Sequence, residues 1–379
     1  MEILFWVLLG LAFYVYAGYP LLLAFIGLWR RKPRDCERGP EHSVTLIISA
    51  YNEERVIADK IRNSLALDYP RGLLEIVVVS DASSDRTDEI VAGFADGQVK
   101  LLRMAQRGGK TLGLNGAVHR ARGDVVVFSD ANAMYRPDVI RALLARFTDE
   151  RVGGVIGQSC YYTGELESER SEGLYWRYES AIKRLESSIG SVVGGDGAIY
   201  AIRRALYVPM AADSLSDFMN PLQIVKAGHR VVYEPNARSF EHAGESFQKE
   251  FRRKVRIVNR AWRATLRMRA LLNPLRFGFF AVELWSHKVF RWLMPLVMLG
   301  LLASNLWLAP AQPLYAVLLG LQALFYLCAL SGWALRARPR QPALFSVPYY
   351  FCLVNVASLM GIIDAFRGRT YATWSTVRT

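Results

Sequence analysis

Cysteine is scarce in this sequence. Four of its 379 residues are cysteine, they are scattered, and no two of them form a Cys-x-x-Cys pair. A disulfide framework or a cysteine-based zinc site needs cysteines at short, regular spacing. The sequence therefore indicates neither, and its thiols are those expected of a reduced cytosolic domain.

The glycine-rich motifs of two large nucleotide-binding classes are also missing. No Gly-x-Gly-x-x-Gly and no Gly-x-x-x-x-Gly-Lys-Ser/Thr stands where a dinucleotide-binding fold or a P-loop would need it. Internal repeats and low-complexity tracts are absent as well. A nucleotide bound by this chain must therefore be held by some other arrangement.

Charged residues are absent from three long stretches, residues 3–29, 293–335 and 342–363. At ~1.5 Å per residue the first is about 40 Å long as a helix, enough to cross a bilayer with some tilt. A cleaved signal peptide would need a basic start, a shorter apolar segment and a small-residue cleavage site, and none of these is clear. We therefore predict a transmembrane helix over residues 1–30 and about three further segments over residues 292–366.

Basic clusters beside these stretches predict their orientation. The positive-inside rule places both clusters in the cytoplasm, so the middle of the chain is expected to be cytosolic and the protein a multi-pass protein of the inner (plasma) membrane. A fourth full crossing would put the basic tail, residues 367–379, outside, against the positive-inside rule. The last segment is therefore re-entrant or the number of crossings differs, and the side of the membrane on which the tail lies stays open. The clusters are Arg30, Arg31, Lys32 and Arg34, and Arg336, Arg338 and Arg340.

The net charge of +13 is also explained by a membrane location. Anionic lipid headgroups and a phosphorylated ligand account for it in a chain with membrane spans, so we expect no nucleic-acid partner.

The cytosolic domain is predicted over residues 42–245, and within it the sequence from Ser43 to about Asp130 alternates between short apolar runs and helical stretches. The runs cover residues 44–48, 76–79, 99–102 and 125–128. This alternation predicts an α/β domain with a mostly parallel sheet and flanking helices. In such sheets ligands bind beyond the carboxyl ends of the strands, so the residues after each run matter most.

Polar clusters follow these runs and share one chemistry. They supply an acid for a base or ribose, a lysine for a phosphate, and oxygens for Mg²⁺ or Mn²⁺ on a diphosphate. An ordinary polar turn is the alternative for each cluster taken alone. The clusters are SAYNEE (49–54), SDASSD (80–85), GGK (108–110) and DAN (130–132).

The motifs follow one another along nearly the whole chain. They are SAYNEE, VVVSDASSD, GGKTLGLNGA, GDVVVFSDANAMY, GGDGAIYAIRR and SDFMNPLQIVKAGHRVVYEPNA, followed by a basic helix and apolar spans. This order resembles the membrane-bound family 2 glycosyltransferases, which carry a GT-A catalytic domain and make bacterial polysaccharides. The resemblance implies an inverting glycosyltransferase that moves a sugar from a nucleotide-diphosphate sugar, with a UDP-sugar favoured, to a polysaccharide or lipid-linked glycan, using Mg²⁺ or Mn²⁺.

The resemblance also implies roles for residues of the donor pocket. Asp81 would contact the nucleobase and Lys110 the phosphates. Asp130 and Asn132 stand where the family has its metal-binding Asp-x-Asp; the asparagine removes one formal charge but still offers an oxygen. The nucleotide pocket would be lined by Ala50, Tyr51, Asn52 and Glu53.

On the acceptor side, Asp217 falls where the family has its catalytic base, although the acid expected before it is Ser216. A helix N-terminal cap is the alternative role for Asp217. The loop Gly195, Asp196 and Gly197 resembles the acceptor-binding loop of the family, with an ordinary hairpin turn as the alternative. His242 and Glu241 remain weaker candidates for ligands of a metal or phosphate.

The basic amphipathic stretch within residues 246–291 predicts helices in the membrane interface. Processive relatives carry a Gln-x-x-Arg-Trp motif here, of which only an arginine remains, and this weakens any expectation of processivity. Arg253 and Arg256 are candidates for the leaving diphosphate, and the other arginines are expected to contact lipid. Transfer to polyprenyl phosphate itself, or a non-catalytic membrane-anchored nucleotide-sugar sensor, remains an alternative function.

Overall fold

The structure is a computed structural model that describes residues 1–29, 41–94, 97–162, 167–242, 247–336, 338 and 341–373. Three features of the sequence lie outside the described residues. These are the basic cluster at residues 30–34, Cys36, and the arginines Arg340 and Arg378.

One eight-stranded mixed sheet forms the centre of the catalytic domain, with strand order β3-β2-β1-β4-β7-β6-β8-β5. β3, β2, β1 and β4 run parallel to each other, and β6 pairs parallel with β8, whereas the other pairings are antiparallel. The strands are β1 (Val44–Ala50), β2 (Leu74–Ser80), β3 (Val99–Arg103), β4 (Val125–Asp130), β5 (Met134–Tyr135), β6 (Val152–Tyr162), β7 (Tyr200–Arg203) and β8 (Arg230–His242).

Continuous Val and Ile runs form the central parallel strands because both of their faces are covered. Every residue of β1 is buried. The register pairs Ala50 with Ser80 and Ser49 with Asp130, so the carboxyl ends of β1, β2 and β4 meet at one edge. The predicted fold class is confirmed.

Helices cover both faces of this sheet and continue into the apolar region. Ile57 and Ile61 of α3 pack on one face, and Leu114 and Val118 of α5 pack on the other. The helices are α1 (Glu2–Phe13), α2 (Tyr19–Gly27), α3 (Ile57–Leu65), α4 (Thr87–Ala92), α5 (Lys110–Arg120), α6 (Val139–Leu144), α7 (Glu167–Ile189), α8 (Ser216–Lys226), α9 (Phe247–Arg267), α10 (Pro274–Phe277), α11 (Phe279–Leu284), α12 (Phe290–Leu308), α13 (Pro313–Ala334) and α14 (Ala343–Phe366).

Four helical segments of the described chain are long and apolar enough to cross a membrane: Glu2–Gly27, Phe279–Leu308, Pro313–Ala334 and Ala343–Phe366. The second begins well before the uncharged stretch at residue 293. Its polar residues are buried against the catalytic domain rather than turned to lipid, as His287 shows by contacting both Glu179 and Glu186 of α7.

The basic helix α9, predicted to lie in the membrane interface, makes extensive contacts with protein. It is enclosed between the catalytic domain and α14, which runs alongside it. Asn259 Nδ2 donates to the Gly361 carbonyl at 3.3 Å, and the rings of Trp262 and Phe366 lie 6.1 Å apart. An amphipathic pattern marks one apolar face, and that face can pack on protein as well as on lipid.

The chain beyond α14 returns to the catalytic domain. The carbonyl oxygen of Ala372 lies against Gly109, where a Cβ atom would approach it to 2.2 Å. Arg369 also accepts a hydrogen bond from Asn259 of α9 through its carbonyl, at 3.2 Å. Residues 369–373 therefore lie beside the catalytic domain and α9.

Candidate active site

A cavity of about 540 Å³ lies at the carboxyl edge of the sheet and extends to the apolar helices. Its wall contains acidic residues of the catalytic domain, such as Asp130 and Asp217, and basic residues of α9, such as Arg256. It also contains Tyr16 from the N-terminal helical segment and Asn355 from α14. The cavity thus joins the edge where a nucleotide would bind to the membrane region.

Asp81 organises the loop that precedes α5. Its Oδ1 accepts from the backbone N–H groups of Gly108 at 2.7 Å and Gly109 at 3.0 Å, and its Oδ2 accepts from Gly109 at 2.9 Å. A buried carboxylate is stable when backbone donors satisfy it in this way. A contact of Asp81 with the nucleobase stays a prediction, because its oxygens already bind this loop.

The predicted nucleotide segment lies at the end of β1 beside the loop after β2. Asn52 Nδ2 donates to Ser84 Oγ at 3.2 Å, and the Ser84 N–H donates to Asn52 Oδ1 at 2.9 Å. Glu53 is buried and lines the cavity. Arg107 stacks over the ring of Tyr51 at 3.9 Å. Of this segment Glu53 lines the cavity, whereas Ala50, Tyr51 and Asn52 precede it at the end of β1 and are not part of the cavity wall.

Lys110, Asp130 and Asp217 converge on Gly197. Lys110 Nζ forms an ion pair with Asp130 Oδ1 and donates to the Gly197 carbonyl at 3.2 Å. A Cβ atom on Gly197 would lie 3.2 Å from Lys110 Nζ, 3.6 Å from Asp217 Oδ2 and 3.7 Å from Asp130 Oδ2. A cation, two carboxylates and an open glycine face are thus gathered within a few ångströms.

Asp217 is not a helix cap. α8 begins at Ser216 with Leu215 as its N-cap residue, and no side-chain cap hydrogen bond is present there. The Asp217 carboxylate makes no hydrogen bond to another described residue, and it lines the cavity. Burial raises the pKa of Asp217, an effect that the charge of Lys110 opposes and that of Asp196 reinforces. A raised pKa brings a carboxylate closer to the basicity that proton transfer needs.

The acceptor-type loop is bound directly to this residue. The Gly195 N–H donates to the Asp217 carbonyl at 2.7 Å. Asp196 accepts from the Ala198 N–H at 3.2 Å through Oδ1, whereas its Oδ2 is buried with no hydrogen-bond partner among the described residues. The loop ends before β7, which pairs with β4 and β6, so residues 195–197 form a lining segment and not a hairpin turn.

Asn132 and Glu241 extend the acidic end of the cavity. Asn132 Nδ2 donates to Glu241 Oε2 at 3.2 Å, and Glu241 Oε1 is buried with no partner among the described residues. Burial raises the pKa of Glu241 to about 8, and the charges of Asp130 and Asp196 add to the effect. From the sequence Glu241 was only a weaker candidate for a ligand, and the structure places it beside Asn132, from which it is separated by 109 residues.

These residues fit a divalent cation that takes part of its coordination from a diphosphate. Among the described residues no group of three or more His, Cys, Asp or Glu side chains could hold a metal by itself. Asp130 Oδ2, Asn132 Oδ1 and the partnerless Glu241 Oε1 are oxygens of the kind that Mg²⁺ and Mn²⁺ prefer. Diphosphate and water oxygens would complete the set.

A buried lysine beneath this end was not anticipated from the sequence. Lys60 of α3 is fully buried, donates to the Ala133 carbonyl, and lies 3.6 Å over the ring of Tyr135. Burial lowers the pKa of Lys60 to about 7, against the opposing charges of Glu241 and Asp130. Nothing in its local sequence separates it from an exposed lysine on an amphipathic helix.

The two arginines predicted for the diphosphate both line the cavity. Arg253 donates to Glu250 at 2.6 Å. Arg256 makes no hydrogen bond to another described residue, and burial, reinforced by Arg253, lowers its pKa while Asp130 opposes the change. The guanidinium of Arg256 is therefore available to an anion in the cavity.

Three other arginines of α9, which the sequence predicted to contact lipid, bind the segment of the catalytic domain before α8. Arg260 donates to the Asp213 and Ser214 carbonyls and, at 3.0 Å, to Thr111. Arg263 and Arg267 bind the carboxylate of Asp213 at 2.9 Å and 2.8 Å. We call this set, Arg260, Arg263, Arg267 and Asp213, the arginine clamp; it fixes the segment before α8 and thereby the position of Asp217.

A GT-A fold with these residues at its carboxyl edge defines a glycosyltransferase domain. Residues 45–207 match the family model described as Glycosyl transferase family 2. The chain therefore carries a family 2 glycosyltransferase domain, and the predicted family is confirmed.

Curated relatives have corresponding names but are matched only in part. The chain is 33% identical over 137 residues to a beta-monoglucosyldiacylglycerol synthase of Trichormus variabilis, covering 34% of this chain and 29% of that protein. It is 26% identical over 290 residues to an N-acetylglucosaminyltransferase of Mesorhizobium japonicum, covering 70% of this chain and 66% of that protein. The match thus spans about a third of the first relative and about two thirds of the second.

A solved structure shares the fold over almost the full length. This is a mannosyltransferase from Pyrobaculum calidifontis in complex with GDP-Man and Mn²⁺, with a TM-score of 0.73 and 22% identity. The superposition covers 97% of this chain and 99% of that one, so the likeness includes the apolar helices as well as the sheet.

Proposed function

We propose that the protein is an inverting glycosyltransferase that uses a nucleotide-diphosphate sugar and Mg²⁺ or Mn²⁺. The acceptor is a hydroxyl of a polysaccharide or of a lipid-linked glycan. The observation that carries this proposal is the convergence of Lys110, Asp130 and Asp217 on Gly197. A phosphate-binding cation and a free carboxylate then lie on the two sides of one small space.

Asp217 is the proposed general base. It takes the proton of the acceptor hydroxyl as that oxygen attacks the anomeric carbon from the face opposite the leaving diphosphate, and this attack inverts the configuration. The raised pKa of Asp217 favours this role, and the glycine at 197 leaves room for a sugar beside it.

Lys110 and Arg256 are the proposed ligands of the diphosphate. Lys110 forms an ion pair with Asp130, which is also a proposed metal ligand. Arg256 lies near the same carboxylate from α9. A divalent cation bound there would neutralise the charge of the leaving diphosphate. The arginine does the same from the protein side, because its charge persists when it is buried.

The donor is proposed to be a UDP-sugar and the site to face the cytosol. The resemblance of the motifs to the family 2 glycosyltransferases favours a UDP-sugar, whereas the Pyrobaculum mannosyltransferase is in complex with GDP-Man, so both nucleotides need testing. The apolar segments and the basic residues beside them support a multi-pass protein of the inner membrane with a cytosolic catalytic domain.

A donor screen with purified full-length protein in uncharged detergent tests the proposal. We expect Mn²⁺- or Mg²⁺-dependent release of nucleotide from one sugar class among UDP-, GDP- and dTDP-sugars, abolished in Asp130→Ala. Absence of turnover with every donor, together with intact donor binding, would favour the nucleotide-sugar sensor. In the same screen on sealed vesicles, donor is added to one side of the membrane at a time. The side from which donor is turned over is the face on which the site opens.

A further inference from the structure

One buried hydroxyl group links two parts of the candidate site. The two parts are the metal segment, residues 130–132, and the acceptor loop, residues 195–197. Tyr135 Oη donates to the carbonyl of Ala198, the residue directly after the acceptor loop, at 2.7 Å, and to the carbonyl of Phe128 in β4 at 3.3 Å. Tyr135 follows the metal segment along the chain and belongs to β5. A single side chain therefore connects the end of β4 to the loop that precedes β7.

Helix α3 fixes the backbone and the ring of Tyr135. Asn63 Nδ2 donates to the Tyr135 carbonyl at 2.9 Å, and the Tyr135 N–H donates to Asn63 Oδ1 at 2.8 Å. The ammonium of Lys60 lies 3.6 Å over the ring and also donates to the carbonyl of Ala133, next to the metal segment. The phenol is therefore held both by its backbone and by the face of its ring, and this sets the position of its oxygen.

The hydroxyl group of Tyr135 is a permanent donor. The residue is 4% exposed, and burial raises the pKa of Tyr135 far above its usual value. The group therefore keeps its proton and donates to a carbonyl. Removal of a buried donor takes that partner away from the carbonyl, which is unfavourable. Tyr135 can therefore hold the acceptor loop, but it takes no part in proton transfer.

A second connection between the same two parts is open to the ligands. Lys110 Nζ pairs with Asp130 and donates to the Gly197 carbonyl at 3.2 Å. Because Lys110 lines the cavity and is a proposed ligand of the diphosphate, an arriving nucleotide competes for its ammonium. Tyr135 is not part of the cavity wall, so a ligand in the cavity does not compete for its hydroxyl group. The link through Tyr135 therefore remains when the nucleotide is bound.

We propose that Tyr135 is a positioning residue whose hydroxyl group couples occupation of the metal segment by a cation and a nucleotide to the order of the acceptor loop. This inference rests on the proposed function and adds a positioning residue to it. Ligands bound at Asp130 restrain the end of β4, and the restraint passes through Tyr135 to Ala198. The acceptor loop is thereby ordered before an acceptor arrives, and the acceptor then has less entropy to lose on binding.

Hydrogen–deuterium exchange on the full-length protein in uncharged detergent tests the coupling. The probes are MnCl₂ with UDP and, separately, MnCl₂ with GDP, and the readout is the exchange of the backbone amides of residues 193–200. In the wild type we expect one of these mixtures to slow that exchange about 5- to 10-fold, the scale of one hydrogen bond. Tyr135→Phe keeps the ring but removes the hydroxyl group, so most of this protection should be lost. The Mn²⁺ affinity measured by calorimetry with the same nucleotide should stay within a few-fold, because the oxygens of Asp130 and Glu241 remain.

Tyr69→Phe is the matched control. Tyr69 is also buried, and its hydroxyl group donates to the His42 carbonyl at 2.6 Å, away from the cavity wall. This variant should lose thermal stability to a similar extent as Tyr135→Phe and should keep the ligand-induced protection of residues 193–200. The comparison separates a loss of stability from a loss of coupling.

Each other outcome contradicts the coupling. Protection that persists in Tyr135→Phe would show that another path connects the two parts, and equal loss in Tyr69→Phe would show that general stability controls the exchange. A wild type that binds Mn²⁺ and nucleotide, or turns over a donor, without protection of the loop keeps the proposed function and loses this inference. Absence of both binding and donor turnover in the wild type would overturn the proposed function and this inference with it.

Discussion

The backbone N–H of Gly195 donates to the backbone carbonyl of Asp217 at 2.7 Å. This bond joins the acceptor-type loop to the first turn of α8, so the loop and the proposed base hold one relative position. The arginine clamp fixes the preceding segment from the other side, through Asp213 and Ser214. The carboxylate of Asp217 is therefore positioned by backbone contacts and remains free to react.

Replacement of Gly195 by alanine should separate the loop from the base. A Cβ atom would come within 2.5 Å of the Asp217 carbonyl oxygen, a backbone atom that cannot rotate away. We expect Gly195→Ala to lower transfer at least ~10-fold and to cost about 1–3 kcal/mol of stability, as overpacking does. Gly72→Ala is the matched control, since no heavy atom lies within 4 Å of its Cβ position. Wild-type transfer in Gly195→Ala would show that the loop tolerates displacement.

Asp217→Asn should retain donor binding and lose transfer by ~10²-fold or more, the usual scale for removing a general base. The amide keeps the size of the side chain but cannot accept a proton at neutral pH. Donor affinity should stay within a few-fold, because Lys110 and Asp130 are unchanged. Asp196→Asn is the matched comparison, as a second buried carboxylate on the same loop. A greater loss in Asp196→Asn than in Asp217→Asn would assign the base to Asp196.

The rate of transfer should fall on the acid side at a pH above that of an ordinary aspartate. Only the ionised carboxylate accepts a proton, and burial raises the pKa of Asp217. The rate should therefore decrease with unit slope as the pH drops through that raised pKa, and the limb should vanish in Asp217→Asn. Kinetics at saturating donor and metal give the profile. A flat rate down to pH ~3.9, the usual aspartate pKa, would contradict the assignment.

The position of the candidate site at the carboxyl edge of the sheet could be predicted from the sequence, because the carboxyl ends of parallel strands meet at one edge. Asp130 follows an apolar run, and that suffices to place it beside Lys110. The contact between Glu241 and Asn132 could not be predicted in the same way, because the two residues are 109 positions apart in the chain. Nor does composition distinguish a helix packed on lipid from one packed on protein, which is why the partners of Arg260 and its neighbours were misassigned.

Metal-dependent donor binding should depend on Asp130 and, more weakly, on Glu241. Asp130→Ala removes the oxygen at the end of β4, so we expect the Mn²⁺-dependent part of donor affinity to be lost while the fold remains. Glu241→Gln should weaken Mn²⁺ binding several-fold, since a bound cation would favour the ionised carboxylate of Glu241, and the amide cannot ionise although it keeps a carbonyl oxygen. Calorimetry with donor and Mn²⁺ measures both. Asp138→Asn, in an exposed ion pair with Arg136, serves as control, and unchanged affinity in Asp130→Ala would exclude the site.

Disruption of the arginine clamp should lower stability in a pH-dependent way. Burial alone would raise the pKa of Asp213, but its hydrogen bonds and charge interactions with Arg267 and Arg263 outweigh burial and hold it below its usual value. The clamp therefore stabilises the folded state above the unfolded pKa of ~3.9, and this contribution is lost as the pH falls through the folded pKa. Asp213→Asn should thus cost about 1–3 kcal/mol near pH 7.

Thermal unfolding of wild type and Asp213→Asn between pH 7 and pH 3 measures that difference. The gap between the two melting temperatures should narrow toward acid, because protonation removes from the wild type the same charge that the substitution removes. Asp59→Asn, which breaks an exposed pair with Arg62, should show almost no gap at any pH, since exposed pairs contribute little. A difference in melting temperature that stays constant with pH would show that Asp213 acts through packing rather than through its charge. The position of Asp217 would then depend on Arg260 and its contacts with the carbonyl groups of Asp213 and Ser214.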